Sequence, residues 1–568
     1  MQRLDEHTVT RRNFLKGAAL AAAGGVLAAC APAAAPATGT APAADEGADD
    51  MPMRKGGTLV FGYPQKTSYQ NLLAMEHNAG NRRYYLIGLT HNCLVNISPD
   101  YTTWLPELAE SWEFDGNKAI FNLRKDVKWH DGEPFTSADV LFTIGRLTGH
   151  PNVLRWNGVR NLKDMVVGLE EFSLGEADEV SGVSAPDDYT FVFELKKPFR
   201  AAFLERLLSH PIMPKHLLGA IPEEQWAVDE QGQQGLKSTE YALKQGTGTG
   251  PYRVTNFIPD QVVEYEPFDD YFGGTPQLDK LVFVPYTDHL AMAAALEKGE
   301  CHIGIRTPQS EFERFKAMDH LHVVLNHGPS AVVFYWQFRY ELADMRVRQG
   351  LSLALDRERI AKDFFFDTVP PLYAPVQYAD YGISPDCAKW YEYNPDLARQ
   401  LLEEGGWDFD YKLRYAVQSI SPTWEPLLAM CSEMFADVGV QTEYQILGAE
   451  FSNVVSNPPY DYDTQFSGYG WGVTPGSFIP ALSYERFGPD TTEGIEMINE
   501  ILVMEDEEEI KQAVLRLQEF LAEFQRHGVI SQLPGIHIVN NAVKSGNVVP
   551  VYGPRTDWID WVNVYVES

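Results

Sequence analysis

Two stretches of this 568-residue chain carry residue types that could hold a small molecule. Ser467-Gly468-Tyr469-Gly470-Trp471-Gly472 alternates large rings with glycines, and glycine lets a backbone approach closely while placing no side chain beside the neighbouring ring. Rings flanked in this way can line a cavity as flat stacking platforms. Phe334-Tyr335-Trp336-Gln337-Phe338 would, as a strand, put Phe334, Trp336 and Phe338 on one face and Tyr335 and Gln337 on the other. Each aromatic side chain buries ~150–250 Å², so packing in a core accounts for every one of these rings as well as stacking on a ligand does. Tyr469, Trp471, Trp336 and Phe334 are the candidate stacking residues, with Gln337 available to hydroxyl groups.

Bond-making machinery is scarce by contrast. The chain has no GxxxxGK[ST] phosphate loop, no HExxH, no GxSxG elbow and no EF-hand pattern. Gly246-Thr247-Gly248-Thr249-Gly250-Pro251-Tyr252 has the wrong spacing for a dinucleotide loop, and Pro251 removes a donor where a phosphate-binding helix should begin. It reads as a tight connection into a strand starting at Tyr252. His130-Asp131 precedes a glycine, which marks a turn, and adjacent strand residues point to opposite faces, so a surface turn is the better account than an acid/base pair. Neither a CxxC nor a Cys/His metal spacing is present, and neither a metal nor a cofactor is expected.

The elements that must position the rings are those of a mixed α/β chain. Tyr189, Phe191, Phe193 and Leu195 alternate as in a half-buried strand, and Leu281 to Val284 is a continuous apolar run, as in a strand covered on both faces. Thr136 precedes a capped helix whose Val140, Ile144 and Leu147 share a face, and a helix entered at Asn394-Pro395 stops at Gly405-Gly406. Trp424 to Phe435 reads as a further helix and Val440 to Ile446 as a strand. The acidic run Glu505 to Glu509 fits the first turn of a helix, where negative charge suits the dipole, better than a metal site. At 63.9 kDa and 44% hydrophobic residues the chain supports several packed lobes. With 46 Lys+Arg against 79 Asp+Glu, a net −33, nucleic acid is excluded as a partner because no basic field remains to displace its counterions.

The beginning of the chain reads as an address. Arg11-Arg12 stand ahead of an apolar stretch from Gly17 to Ala29, too short to cross ~30 Å of hydrocarbon. The segment resembles a twin-arginine export signal, and Leu27-Ala28-Ala29-Cys30 resembles a bacterial lipobox, with Cys30 the lipidated residue. Ala31 to Asp50, nearly all Ala, Pro, Thr, Gly and acid, reads as a disordered tether. Removing residues 1–29 leaves 42 basic against 77 acidic residues. Cys93, Cys301, Cys387 and Cys431 then permit three full disulfide pairings or none.

Several ordered stretches resemble the family 5 extracytoplasmic solute-binding proteins, which serve oligopeptide, dipeptide, nickel and some oligosaccharide ABC importers. They are Leu108-Ala109-Glu110-Ser111-Trp112, then Phe121 to Val140, Gly248-Thr249-Gly250-Pro251-Tyr252, Tyr271 to Asp279, Met345 to Leu351, Ala354 to Arg357, and Asn394 to Ala398. The resemblance implies a bilobal α/β, periplasmic-binding-protein-like fold of type II, a Venus flytrap, with an extra inserted domain. Residues 1–29 would be the signal, 30–55 the tether, 56–90 with 214–326 and 540–568 lobe I, 91–213 the inserted domain II, and 327–539 lobe III. It implies a monomeric receptor, not an enzyme, anchored by lipid at the outer face of the cytoplasmic membrane or in the periplasm, which closes on a small ligand and delivers it to an ABC permease. In peptide-binding members an acid shortly after an aromatic grips the ligand's ammonium group. Tyr469 matches the aromatic, but Gly472 stands where the acid would be, and a buried ammonium without a counter-charge is costly. Short peptides then require Asp461 or Asp463 to reach the site, whereas Trp471, Tyr469 and Trp336 suit sugar rings. Peptide and oligosaccharide both stay open, and a secreted hydrolase or an adhesive or sensory surface protein are the readings from other classes.

Overall fold

Alternation of Leu59, Phe61 and Tyr63, each at most 2% exposed, makes β1 (Thr58–Tyr63) the seed of a large sheet. The structure is a computed structural model and describes residues 55–64, 72, 88–153, 162–208, 210–226, 235–338, 340–378, 381–418, 424–447, 451–456, 461–470, 472, 474–478, 492–544 and 559–567. After β1 comes a region with two small antiparallel sheets. One pairs β2 (Val95–Ile97) with β3 (Trp104–Pro106), and the other orders β4 (Ala109–Asp115), β5 (Lys118–Leu123), β6 (Val183–Asp187) and β7 (Thr190–Glu194) as β4-β5-β7-β6. The chain then supplies β8 (Tyr252–Ile258), β9 (Val262–Pro267), β10 (Lys280–Pro285), β11 (Ile303–Gly304) and the long β12 (Leu321–Trp336). β13 (Lys412–Gln418), β14 (Gln441–Leu447), β15 (Thr464–Gly470) and the long β16 (His527–Asn540) follow, and β17 (Val543–Lys544) pairs with β18 (Tyr565–Val566).

The ten-stranded sheet runs β14-β13-β15-β12-β16-β11-β1-β10-β9-β8. Its two long central strands hold it together: Leu321 to His327 of β12 pair with Asn540 to Pro534 of β16, and, past an irregularity between His327 and Ala331, Ala331 to Tyr335 pair with Gln532 to His527. β12 and β16 therefore cross from one half of the sheet to the other. In β12 the crossing falls at 327–331, where lobe III was expected to begin. In β16 it falls near 532–534, earlier than the expected 539, because Val539 and Ile538 already pair with Ile303 and Gly304 of β11.

Each half buries its sheet on both faces. The lobe I half packs Leu59, Phe61, Phe283, Ile303, Val539 and Trp561 on one face and Leu296, Cys301, Ile536 and Ile538 on the other. The lobe III half packs Phe334, Trp336, Tyr415 and Phe435 on one face and Val333, Tyr335, Leu517 and Leu521 on the other. The inserted region has its own core around Phe121, Trp129, Phe193 and Phe203. Such segregation is what a bilobal α/β fold with an inserted domain requires.

Helix boundaries follow local chemistry. α1 (Ser137–Phe142) starts in a capping box in which Thr136 and Asp139 bond each other's backbone N–H. α2 (Arg200–Leu207) belongs to the inserted region. α3 (His289–Glu297), capped by Asp288, joins β10 to β11 as the crossover between parallel strands. In lobe III, α4 (Met345–Leu353) and α5 (Arg357–Asp363) are capped by Asp344 and Asp356, and α6 (Pro395–Glu404) by Asn394, with Pro395 in its first turn and Gly405 ending it. α7 (Trp424–Asp437), α8 (Thr492–Ile501) and α9 (Glu507–Phe524) follow. Asp506 caps α9 and Glu507 to Glu509 fill its first turn, as the acidic run predicts.

β10 departs from expectation: Val282 and Val284 are only half-buried, so one face of the strand is fully covered and the other is not. Cys93, Cys301, Cys387 and Cys431 are buried thiols and form no disulfide with one another. The glycine-rich connection 246–250 packs against Leu89 and Thr90, and a Cβ on Gly248 would stand 1.7 Å from the Thr90 carbonyl oxygen. His130 braces this connection through Nε2 and the Gly250 carbonyl, 2.9 Å apart, beside an exposed Asp131. The expected turn is therefore a structural brace.

Candidate functional site

Parallel strands end at the crossing from both sides. In lobe I, β1 runs parallel to β10 and β11, and β11 is antiparallel to β16, so the carboxyl ends of these strands point at the crossing segment of β16. In lobe III, β13 runs parallel to β14 and β15, and β15 is antiparallel to β12, which brings Gly470 opposite Ser330. Ligands of open α/β sheets bind outside the carboxyl ends of the strands. Here two sets of such ends meet at one junction.

On the lobe I side, strand parity selects the side chains. Tyr63, Ile303, Ile305 and Val539 share one face, and His537 lies on that same face of β16, between Ile536 and Ile538 of the opposite one. Arg306 would follow Gly304 to the other face, but its φ of 55° turns it back, and its guanidinium donates to the Tyr63 hydroxyl and lies 5.3 Å from that ring's centroid. The backbone N–H of Thr307 donates to the Ile536 carbonyl at 2.9 Å, fixing the loop beside β16. His537 is fully buried, and burial together with the Arg306 charge lowers its pKa to about 3, so the imidazole is neutral. Neither of its ring nitrogens has a hydrogen-bond partner, and the same holds for the hydroxyls of Thr307 and Ser330, residues that are 4% and 6% exposed.

On the lobe III side, Tyr469 pairs with Ala331 and Gly468 with Val332, so the backbone of this segment runs beside the crossing part of β12. Gly472, next along, has a φ of 75°, the left-handed region in which a residue with a side chain is strained. Trp471 lies outside the described residues, as do Arg11, Arg12 and Cys30. Gln465 and Ser467 sit on the face of Tyr335, with Gln465 Oε1 buried and without a partner.

Phe334, Trp336 and Gln337 do not join this junction. Trp336 pairs with Thr464, six residues along β15 from Gly470, or ~20 Å at a rise of ~3.3 Å per residue. Phe334 and Trp336 are both 0% exposed and stack on each other with ring centroids 5.2 Å apart. Tyr415, Phe435 and Phe466 meet Phe334 edge-on. Gln337 is 2% exposed and donates its backbone N–H to the Asp463 carbonyl. The expectation that these three line the cleft is thereby corrected: an alternating strand reads the same whether its face is covered by helices or by a ligand.

Asp461 and Asp463 are also far from Gly472, at the start of β15, and both are committed to Arg414. Asp463 takes Arg414 Nη2 at 2.9 Å and the Tyr411 hydroxyl at 2.8 Å, and Asp461 takes Nη1. An acid from α2 bonds two residues past Gly472: Glu205, 4% exposed, accepts from the Thr474 hydroxyl, while Arg206 Nη2 donates to the Gly476 carbonyl at 3.0 Å. These bonds tie the inserted domain to lobe III. Burial, and then the Glu205 charge, raises the pKa of the Tyr378 hydroxyl close by.

Arg306, Thr307 and His537 were not singled out by the sequence. No local motif marks them, and what brings them near one another is a pairing between segments about 230 residues apart.

The profile of the bacterial extracellular solute-binding proteins, family 5 (Middle), matches residues 103–489 of this chain. The oligopeptide-binding protein AppA of Bacillus subtilis is 27% identical over 455 residues, which cover 75% of this chain and 76% of AppA. The dipeptide-binding protein of Escherichia coli is 28% identical over 382 residues, 62% of this chain and 65% of that protein. The solved structure of AppA in complex with a nonapeptide superposes with a TM-score of 0.71 at 22% identity, covering 91% of this chain and 100% of AppA, and so shares the fold. The matched segment takes in most of the inserted region from Thr103 onward, the crossing strand β12 and β15. This chain belongs to the bacterial extracellular solute-binding proteins of family 5.

Proposed function

We propose that this protein is the substrate-binding component of an ABC peptide importer. It works outside the cytoplasmic membrane, exported through the Arg11-Arg12 signal, tethered through a lipid on Cys30, and acts as a monomer that passes its ligand to a permease. The observation that carries the reading is the meeting of two sets of strand carboxyl ends at the β12–β16 crossing, beside which the buried hydroxyls of Thr307 and Ser330 are left without partners. Two continuous strands joining two separately cored halves make a hinge, and a ligand touching both halves favours the closed arrangement through its extra contacts there. Peptide is favoured over oligosaccharide for two reasons. The relatives are named as peptide-binding proteins, and the sugar-platform argument loses Phe334 and Trp336 to the core. Tyr469 and Trp471 remain its proposed stacking residues, with the Gly472 turn shaping their segment.

The test is thermal unfolding of the purified chain in the presence of peptides of two to nine residues and, separately, neutral oligosaccharides. A peptide at ~100 times its Kd raises stability by ~2.7 kcal/mol, and the effect grows with concentration. No stabiliser among the peptides, or recovery of a chemically altered peptide, would sink the reading.

A further inference from the structure

We propose that the joint between the inserted region and the lobe I half is an acid-sensitive latch, in which His130 holds the glycine-rich connection 246–250 only while its imidazole is neutral. The inference stands apart from the peptide reading and does not depend on it.

Two segments meet at this joint. Trp129, beside His130, belongs to the core of the inserted region, and Tyr252, just past the connection, to that of the lobe I half. His130 is bonded to the connection through both ring nitrogens. The Gly248 backbone N–H donates to Nδ1 at 3.2 Å, so Nδ1 carries no proton, and Nε2–H donates to the Gly250 carbonyl at 2.9 Å. One tautomer of the neutral ring fits this arrangement. The imidazolium does not, because its second N–H would face the N–H of Gly248. The connection has no room to shift towards residues 89–90 and relieve the clash. Gly250 and Tyr252 donate their N–H groups to the carbonyls of Thr90 and Leu89 at 2.9 and 3.0 Å, and a Cβ on Gly250 would stand 2.2 Å from the Leu89 carbonyl oxygen.

A second histidine backs the first. The Tyr241 hydroxyl donates to the Thr247 carbonyl at 2.9 Å and therefore accepts from His91 Nε2–H at 2.7 Å, which leaves His91 Nδ1 to accept from Thr90 Oγ1 at 2.8 Å. A hydroxyl can turn to accept a proton from His91, whereas the Gly248 N–H is fixed. His130 is thus the sensing group.

Charges face His130 from several sides. Arg253, at the start of β8, repels an imidazolium, and so does a protonated His91. Asp131, on the same turn as His130 and bonded to His216 at 2.8 Å, attracts one. Lys128 and Asp270, 2.8 Å apart and both exposed, span the same joint. His130 is half-buried, with the Phe268 ring edge-on to it at a centroid distance of 5.1 Å. Burial, against the Gly250 bond, lowers its pKa to about 4, and burial lowers that of His91 to about 3. Both lie below the ~6.5 of a free imidazole, so the open joint binds more protons. The latch is closed above pH ~6.5 and weakens as pH falls towards ~4.

The experiment is hydrogen exchange of the full chain, followed by mass spectrometry between pH ~7 and ~4.5 and corrected for intrinsic rates. Each linked proton makes a local opening constant grow by up to about tenfold per pH unit over this range. Segments 88–92, 128–135 and 246–252 are expected to show that growth while β12 and β16 keep their protection. His130→Asn offers Gly248 an acceptor that does not titrate, and is expected to remove about tenfold per pH unit from the growth. Arg253→Gln, an exposed change should the histidine variant fold poorly, is expected to leave opening near pH ~7 unchanged. It should make the growth level off at a higher pH, since the closed joint then tolerates the proton better. Opening that does not grow with acid, or growth that neither variant alters, would overturn the latch. So would acid-induced exchange that sets in together at the joint and in the long strands, because the joint would then open only when the whole fold does.

Discussion

Phe334 with Trp336, and Tyr63 with His537, are alternate or cross-sheet residues of strands that run into one junction, yet their surroundings differ in kind. The lobe III pair is packed among rings: two stacked, three more edge-on, and a glycine at position 528 whose absent Cβ would stand 2.4 Å from the Trp336 ring, with Trp336 Nε1 left without a partner. In the lobe I pair the Tyr63 hydroxyl accepts from Arg306, and both His537 ring nitrogens lack a partner. Neither enclosure nor an unmet hydrogen bond alone separates a core from a binding site; the ring-on-ring packing is what sets the lobe III pair apart.

The sharpest way to break this comparison is Trp336→Ala. If the indole belongs to the packing, its removal leaves a cavity that lobe III cannot refill and costs ~3–5 kcal/mol by urea unfolding. Peptide affinity of the folded protein should stay unchanged. A small stability loss with collapsed affinity would return Trp336 to the cleft and invert the contrast between the two regions.

The same contrast can be drawn between arginines. Arg357, 2% exposed, spends its donors on the carbonyls of Val529, Ser352, Leu355 and Tyr391. Burial lowers its pKa to about 10. It ties β16 to the helices of lobe III and has nothing left for a ligand. Arg357→Met is expected to cost about 3 kcal/mol, since several buried carbonyls lose a charged donor together. Arg306→Gln, at a half-buried position where the guanidinium donates to the Tyr63 hydroxyl, should change stability by well under half of that. Equal stability losses in urea would mean that Arg306 is a structural clamp too.

Much of this architecture could be read from residues one after another. The Thr136 capping box, the Asn394-Pro395 and Gly405 boundaries of α6, the acidic first turn of α9 and the alternation of β7 are all local events, and each is set by a few neighbouring side chains. The expected bounds of lobe III, 327–539, came from resemblance alone, and nothing in His527 to Asn540 marks where β16 passes from pairing with one half of β12 to pairing with the other. The candidate site was legible only where one segment carries it. Tyr469 and Gly472 belong to one conspicuous stretch, whereas Arg306 and His537 come near each other only through the pairing of β11 with β16. Phe334 and Trp336 were misplaced because their period records that a face is covered, not what covers it.

Acid titration sharpens the comparison through histidines. Burial lowers the pKa of His91 and of His537 to about 3. His91 is bonded to Thr90 Oγ1 at 2.8 Å and the Tyr241 hydroxyl at 2.7 Å, whereas His537 has no partner. Both are depressed below the unfolded value near 6.5, so the unfolded chain binds more protons below that pH. Their stabilisation is present above pH ~6.5 and is lost as pH falls towards 3, at up to ~1.4 kcal/mol per pH unit for each group. Urea midpoints between pH 6.5 and 5 should fall on acidification, and His537→Asn should flatten that slope. A slope unmoved by His537→Asn would mean that burial of His537 is not what sets it.

The smallest effect belongs to the contacts between the inserted domain and lobe III. Two kinds coexist there. Thr474 and Glu205 meet in an enclosed position, and Arg200 Nη2 meets Glu505 Oε1 at 2.6 Å with both side chains largely exposed. Exposed pairs gain little Coulomb energy in water and lose side-chain entropy, so Arg200→Gln should lower stability by ~0.5 kcal/mol or less. On a surface carrying a net −33 the lost cation also removes some relief from mutual repulsion. That part is long-ranged and should vanish in 1 M NaCl, where the Debye length is ~3 Å. Thr474→Val, which takes away a donor from an enclosed carboxylate, should cost more and keep its cost in salt. If instead the Arg200 variant shows the larger, salt-resistant loss, the surface pair is the true link between the two bodies, and enclosed hydrogen bonds lose their standing as the measure of what holds this fold together.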